Sequence, residues 1–162
     1  MHQTSIQTLS HPFTELPAEA LQQLYDLLEK MNVCARELES ITQAEYEAIR
    51  QINADQIMQL SDHRISAHQC LGQLEVQCRE LLKQYEIDTE LSLSVVIDMY
   101  AGSQAAEFQA LRRNLYDRML KVSQDSQDNR LRLHAAYSVS SSILQGLGLI
   151  QSEQTYQRRT SG

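Results

Sequence analysis

From Leu16 to Ile52 apolar side chains return every three or four residues, at Leu21, Leu24, Leu28, Met31, Ala35, Leu38, Ile41, Ala48 and Ile52, with no glycine or proline from Leu21 onward. This is the period of a helix packed on one side, and it predicts one long helix. Pro12 and Pro17 bracket its start, where a missing N–H costs least. At Asn53-Ala-Asp-Gln56 the pattern breaks: Asn53 can cap a new helix, Gln56 can return a bond to it, and Asp55 suits the positive end of the dipole. Ile57, Leu60, Arg64, Ala67, Leu71, Leu74, Cys78, Leu81 and Tyr85 then alternate steps of three and four, a heptad seam that only Arg64 interrupts. Two helices joined by so short a turn must fold back antiparallel, each roughly 45 to 55 Å long at about 1.5 Å per residue.

From Glu86 to Ser103 the pattern is shorter. Leu91, Val95 and Met99 at four-residue spacing predict a short helix with Asp88 as its cap; Leu91, Leu93 and Val95 also alternate as in a strand, but a lone strand has no partner. Gly102 can end this helix in a left-handed conformation and Ser103 can cap the next.

A third long helix is predicted from Phe108 to Ile150, and its character changes along its length. Phe108, Leu111, Leu115, Met119 and Val122 form one apolar stripe. Ser123 to Arg130 is eight polar residues in succession, so no face of those turns is apolar; it reads either as a solvated joint or, with Asn129 on the inward line, as a device that fixes register. Beyond it, Leu131, Leu133, Ala135, Ala136, Tyr137, Val139, Ile143, Leu144, Leu147, Leu149 and Ile150 point round nearly the whole circumference. A helix that is apolar all round needs more than one neighbour. Small residues within the run, Ala135, Ala136, Ser138, Ser140, Ser141, Ser142 and Gly146, let another helix approach closely, which suits a groove for an amphipathic partner helix. Gly146 and Gly148 loosen the end.

The expected fold is therefore all-α: a single helical domain over residues 1–162, an elongated antiparallel bundle of three long helices with a short helix in the second connection. Residues 1–15 are expected to form a loose arm and 151–162 a mobile polar tail carrying Tyr156.

Composition adds exclusions. A net charge of −7 opposes binding to a phosphate backbone, which rests on lysine and arginine, and disfavours anionic membrane surfaces. No apolar stretch reaches membrane-spanning length and the amino terminus lacks a signal pattern. The odd set of Cys34, Cys70 and Cys78 inside helical patterns suits reduced thiols used as small apolar residues, and hence the cytosol.

Candidate chemistry is sparse. His63 and His68 stand about 140° apart on a helix, and His68 and Cys70 about 200°, so the three cannot converge on one metal ion. No nucleophile elbow, phosphate loop or dinucleotide glycine pattern occurs, nor the Glu-x-x-His pairs of di-iron bundles. No cofactor is expected. The alternative from another class is a histidine phosphotransfer or signalling bundle using His134. In such domains the histidine resembles a His-x-x-Lys-Gly motif, whereas here it reads His134-Ala-Ala-Tyr-Ser.

Three segments resemble the FlgN family of flagellar type III export chaperones. Glu45-Tyr-Glu-Ala-Ile-Arg-Gln-Ile-Asn-Ala-Asp-Gln-Ile-Met-Gln-Leu60 is similar to the family's helix-turn-helix. Ser126-Gln-Asp-Asn129-Arg-Leu-Arg-Leu133 resembles its Asn-x-x-Asn segment, with Ser126 at the first Asn. Thr155-Tyr156 resembles the Tyr-containing tail, which here continues as Gln157-Arg-Arg. The resemblance implies a cytoplasmic, non-enzymatic chaperone that binds hook-associated proteins of the hook–filament junction, keeps their terminal helices soluble and delivers them to the export gate. It also implies that cargo meets the C-terminal helix. The partner-binding set expected on both grounds is Leu131, Leu133, Ala136, Tyr137, Val139, Ser140, Ile143, Leu144, Leu147 and Ile150, with Tyr156 as an export-gate contact.

Overall fold

A computed structural model describes residues 15–148. The described chain is all-α: α1 Ala18–Arg50, α2 Ala54–Gln84, α3 Leu93–Tyr100 and α4 Ala105–Gly146, with a single 3-10 turn, Gly102–Gln104, ahead of α4. No strand occurs among the described residues. The three long periodic segments are the three long helices, and the connection after α2 holds the short one. Residues 1–14 and 149–162, which include most of the expected arm and all of the expected tail, lie outside the described residues.

Each boundary has a local cause. The Pro17 carbonyl accepts the Leu21 N–H at 3.0 Å and so receives an early bond of α1. At its far end Ile52 takes a left-handed φ of 52°, and the Ile52 and Asn53 N–H groups close back on Ile49 and Ala48 at 3.1 and 2.9 Å. Asn53 Oδ1 then accepts the Gln56 N–H at 3.1 Å, the expected cap. The return bond goes elsewhere than in a capping box: Gln56 Oε1 accepts from the Asn53 side-chain amide at 3.5 Å, because the Asn53 backbone N–H is already bonded to Ala48. The same closure ends α2, with Glu86 at φ 57° and the Ile87 N–H on Leu82 O at 3.1 Å, while Ile87 and Leu82 are both buried.

Two expected caps move. Ser92, not Asp88, caps α3, its Oγ accepting the Val95 N–H; Asp88 is engaged in a tight turn with the Glu90 N–H at 2.9 Å, and Leu91 lies ahead of the helix. Ser103 falls within the 3-10 turn rather than capping α4. Gly102 is left-handed as expected, at φ 55°, and a β-carbon there would run into the Glu15 carboxylate.

The chain divides into two compact units, and neither is a contiguous piece of sequence. One takes in the described residues up to Glu37 with Ala67–Met119; the other takes in Leu38–Ser66 with the chain from Leu120 onward. The first is an apolar core. Leu24, Leu28, Val96, Ile97 and Phe108 are fully buried, and Tyr25 meets Phe108 edge to face at 5.7 Å. Buried Asn32 donates to Leu28 O and Leu111 O, joining α1 to α4. The α2 heptad holds here, since Ala67, Leu74, Cys78 and Leu81 are buried, and it ends at an exposed Tyr85. Cys34 and Cys78 are buried as small apolar residues are, but Cys70 is exposed, being one position off the seam that runs through Leu71. The second unit buries Leu38, Ile41, Ala48, Ile49 and Val122 around a set of polar side chains.

Candidate protein-binding surface

The polar set occupies the segment where α4 loses its apolar stripe. Thr42, on α1, donates its hydroxyl to Leu38 O at 2.7 Å and accepts from Arg64 Nη2 at 2.7 Å. Arg64, the one break in the α2 heptad, forks onto Glu45 of α1 through Nε at 2.8 Å and Nη2 at 2.6 Å, and both side chains are mostly shielded from water. Asn129 of α4 is buried and donates to Thr42 O at 3.0 Å. Arg132, one turn on, donates to Asn129 Oδ1 and lies over the Tyr46 ring, 4.9 Å from its centroid. The Ser123–Arg130 segment is thus continuous helix whose inward line contacts α1, not a solvated joint. Ser126 Oγ is buried there with no hydrogen-bond partner. On the outer side Lys121 pairs with Asp125 at 2.6 Å, and that hydrogen bond, then the Asp125 charge, raises the Lys121 pKa.

Pairing of Thr42 with Asn129 and of Tyr46 with Arg132 shows that α1 and α4 run parallel in this unit. α1 ends about one turn after Tyr46, whereas α4 continues about four turns beyond Arg132, to Gly146. α1 therefore stops about three turns short of the end of α4. From Leu131 onward the large apolar side chains stand in water: Leu131, Leu133, Tyr137, Val139, Ile143, Leu144 and Leu147 are all exposed, Tyr137 at 71% and Leu144 least so at 38%. Ser140 is exposed and Ala136 half-buried. Leu147 sits in the turn after α4, ahead of Gly148 at φ 71°, and not on the helix itself. Ile150 and Tyr156 lie outside the described residues. Scattered single apolar residues are ordinary on a surface, but seven large exposed ones between Leu131 and Leu147 make this segment the candidate contact region.

The residues that sequence reasoning missed are Thr42, Glu45 and Tyr46. A signal for Glu45 was present. Arg64 at a seam position calls for an acid on the neighbouring helix, and Glu45 lies within the last two turns of α1, on the other side of the α1–α2 turn. His134 is exposed on α4, and His63 and His68 are exposed on α2. Among the described residues no group of three His, Cys, Asp or Glu side chains is placed to hold a metal ion, and no helix is long and apolar enough to cross a membrane.

A family model described as FlgN protein matches residues 20–161, from the first turn of α1 through every described helix. Comparison with curated proteins and with solved structures found no match.

Proposed function

The chain belongs to the FlgN family, which implies a flagellar export chaperone, and we propose that its cargo is the hook-associated proteins, bound in the cytoplasm through their terminal helices. The observation that carries this reading is the uncovered apolar run from Leu131 to Leu147. An export chaperone must hold an amphipathic helix whose apolar face would otherwise aggregate, and an unpartnered apolar helix with small residues between its large ones supplies a matching face. Binding alone accomplishes this, with no catalytic step and no cofactor. Delivery to the type III export gate completes the role, and Tyr156 in the carboxy-terminal tail is proposed as the gate contact.

Calorimetric titration with purified hook-associated proteins, using the full chain and a chain ended after His134, which keeps the Arg132 contacts with Asn129 and Tyr46, tests the assignment. Binding by the first and not the second, with equal thermal stability of the two, is the expected result. Equal binding by both would move the cargo surface away from the end of α4. For the tail, Tyr156→Ala should lower secretion of hook-associated proteins from cells without changing their affinity for the chaperone; normal secretion would remove the gate role.

A further inference from the structure

In the first unit Cys34 of α1 and Cys70 of α2 have their sulfurs 3.3 Å apart, with the Cys34 thiol donating to Cys70 Sγ. Their access differs: Cys34 is buried and Cys70 exposed. We infer that Cys34 and Cys70 form a peroxide-responsive pair, in which Cys70 meets the oxidant and Cys34 resolves it into a disulfide between α1 and α2. The role goes beyond cargo binding and does not depend on it.

The geometry needs little change. Sulfurs in a disulfide lie about 2.05 Å apart, so the pair, 3.3 Å apart, must close by about 1.3 Å. Access decides the order of events. Burial, then the hydrogen bond with Cys70, pushes the Cys34 thiol up to about 11, so it keeps its proton at neutral pH, and bulk peroxide reaches only the outer sulfur. In the first step the Cys70 sulfur attacks one peroxide oxygen and gives up its own proton as it does so. A sulfur–oxygen bond forms, the oxygen–oxygen bond breaks, and the departing oxygen takes up the proton and leaves as water or the corresponding alcohol. In the second, Cys34 sulfur attacks the Cys70 sulfenic sulfur; the sulfur–sulfur bond forms, the sulfur–oxygen bond breaks, and the Cys34 proton leaves with the hydroxyl as water. Two thiols lose one electron each and one peroxide gains both. The resulting bond encloses the α1–α2 turn in a covalent loop, which restricts the unfolded chain and raises thermal stability. Cys78, also buried, with its thiol pushed up to about 11 by burial, is left as a bystander.

The test treats the full chain with hydrogen peroxide and counts thiols after denaturation. The three thiols should fall to one, in a monomer lighter by two hydrogens, with digestion joining the Cys34 and Cys70 peptides. Dithiothreitol should restore all three, and the oxidised chain should melt at a higher temperature. Cys78→Ser should still lose two thiols; Cys34→Ser should instead trap a dimedone-reactive sulfenic acid at Cys70. Retention of all three thiols, or loss only through Cys70-linked dimers between chains, would overturn the pairing, as would an unchanged result in Cys70→Ser.

Discussion

Ile52 is a β-branched residue held at φ 52° with 73% of its surface exposed, so it strains the backbone and buries little in return. Ile52→Gly should therefore stabilise the chain by about 0.5–1 kcal/mol, read as a higher denaturation midpoint at constant slope. At Gly102 the sign reverses: Gly102→Ala should cost about 1–2 kcal/mol because the same left-handed backbone is needed and a side chain would also displace Glu15. If both substitutions move stability the same way, the left-handed closures do not govern it. A second residue-scale effect is alkaline. Burial, then the Glu75 charge, pushes the Cys78 thiol from its ordinary 9.0 up to about 11, so the folded chain holds that proton more tightly than the unfolded one. Its contribution is whole below about pH 9 and is lost as pH rises toward 11. Cys78→Ala should lower stability at neutral pH yet show a shallower decline over that window in urea melts; parallel curves would place the titration elsewhere.

At the scale of elements, the second unit is specified by polar contacts where the first is specified by volume. Arg64 and Glu45 are 17% and 15% exposed. Removing either alone should leave the other charge unpaired, and Arg64→Leu should cost about 3 kcal/mol, whereas Arg64→Leu with Glu45→Leu should fall within about 1.5 kcal/mol of the parent. Double-mutant-cycle denaturation measures this; additive losses would mean that the fork contributes nothing as a pair. The same contrast explains what the sequence disclosed. Helix extents were legible because three- and four-residue spacing survives any detail of packing, and even the eight polar residues at Ser123–Arg130 did not break α4. Asn129 was legible as an inward-facing polar residue because it stands on the inward line of α4. The caps at Asp88 and Ser103 were misplaced because several residues nearby can accept an N–H, and the choice depends on where the chain must turn: Ile87 closes α2, which draws Asp88 into the turn. Cys70 was misread with its neighbours because a residue one position off a heptad differs from its neighbours in access, not in composition.

For the whole molecule the decisive question is whether the end of α4 is core or contact surface. The apolar surplus there was legible from sequence as too many large residues for one neighbour, and the described chain leaves Leu144 and Leu147 at 38% and 68% exposure. Placing Asp at both positions should leave helical content intact and cost about 1 kcal/mol or less in stability, mostly from negative charge near a helix C-terminus. Cargo binding should respond far more. Two apolar anchors, each worth about 1.5–3 kcal/mol on full burial, are lost and two carboxylates are brought into an apolar contact, so Kd for a hook-associated terminal helix should rise at least about a hundredfold. Circular dichroism melts beside calorimetric titration separate the two cases. A melting temperature that falls in step with affinity would assign these leucines to the chaperone's own fold. An unchanged melt with unchanged affinity would take the cargo off this stretch, leaving the proposed partner supported by family membership without a surface to receive it.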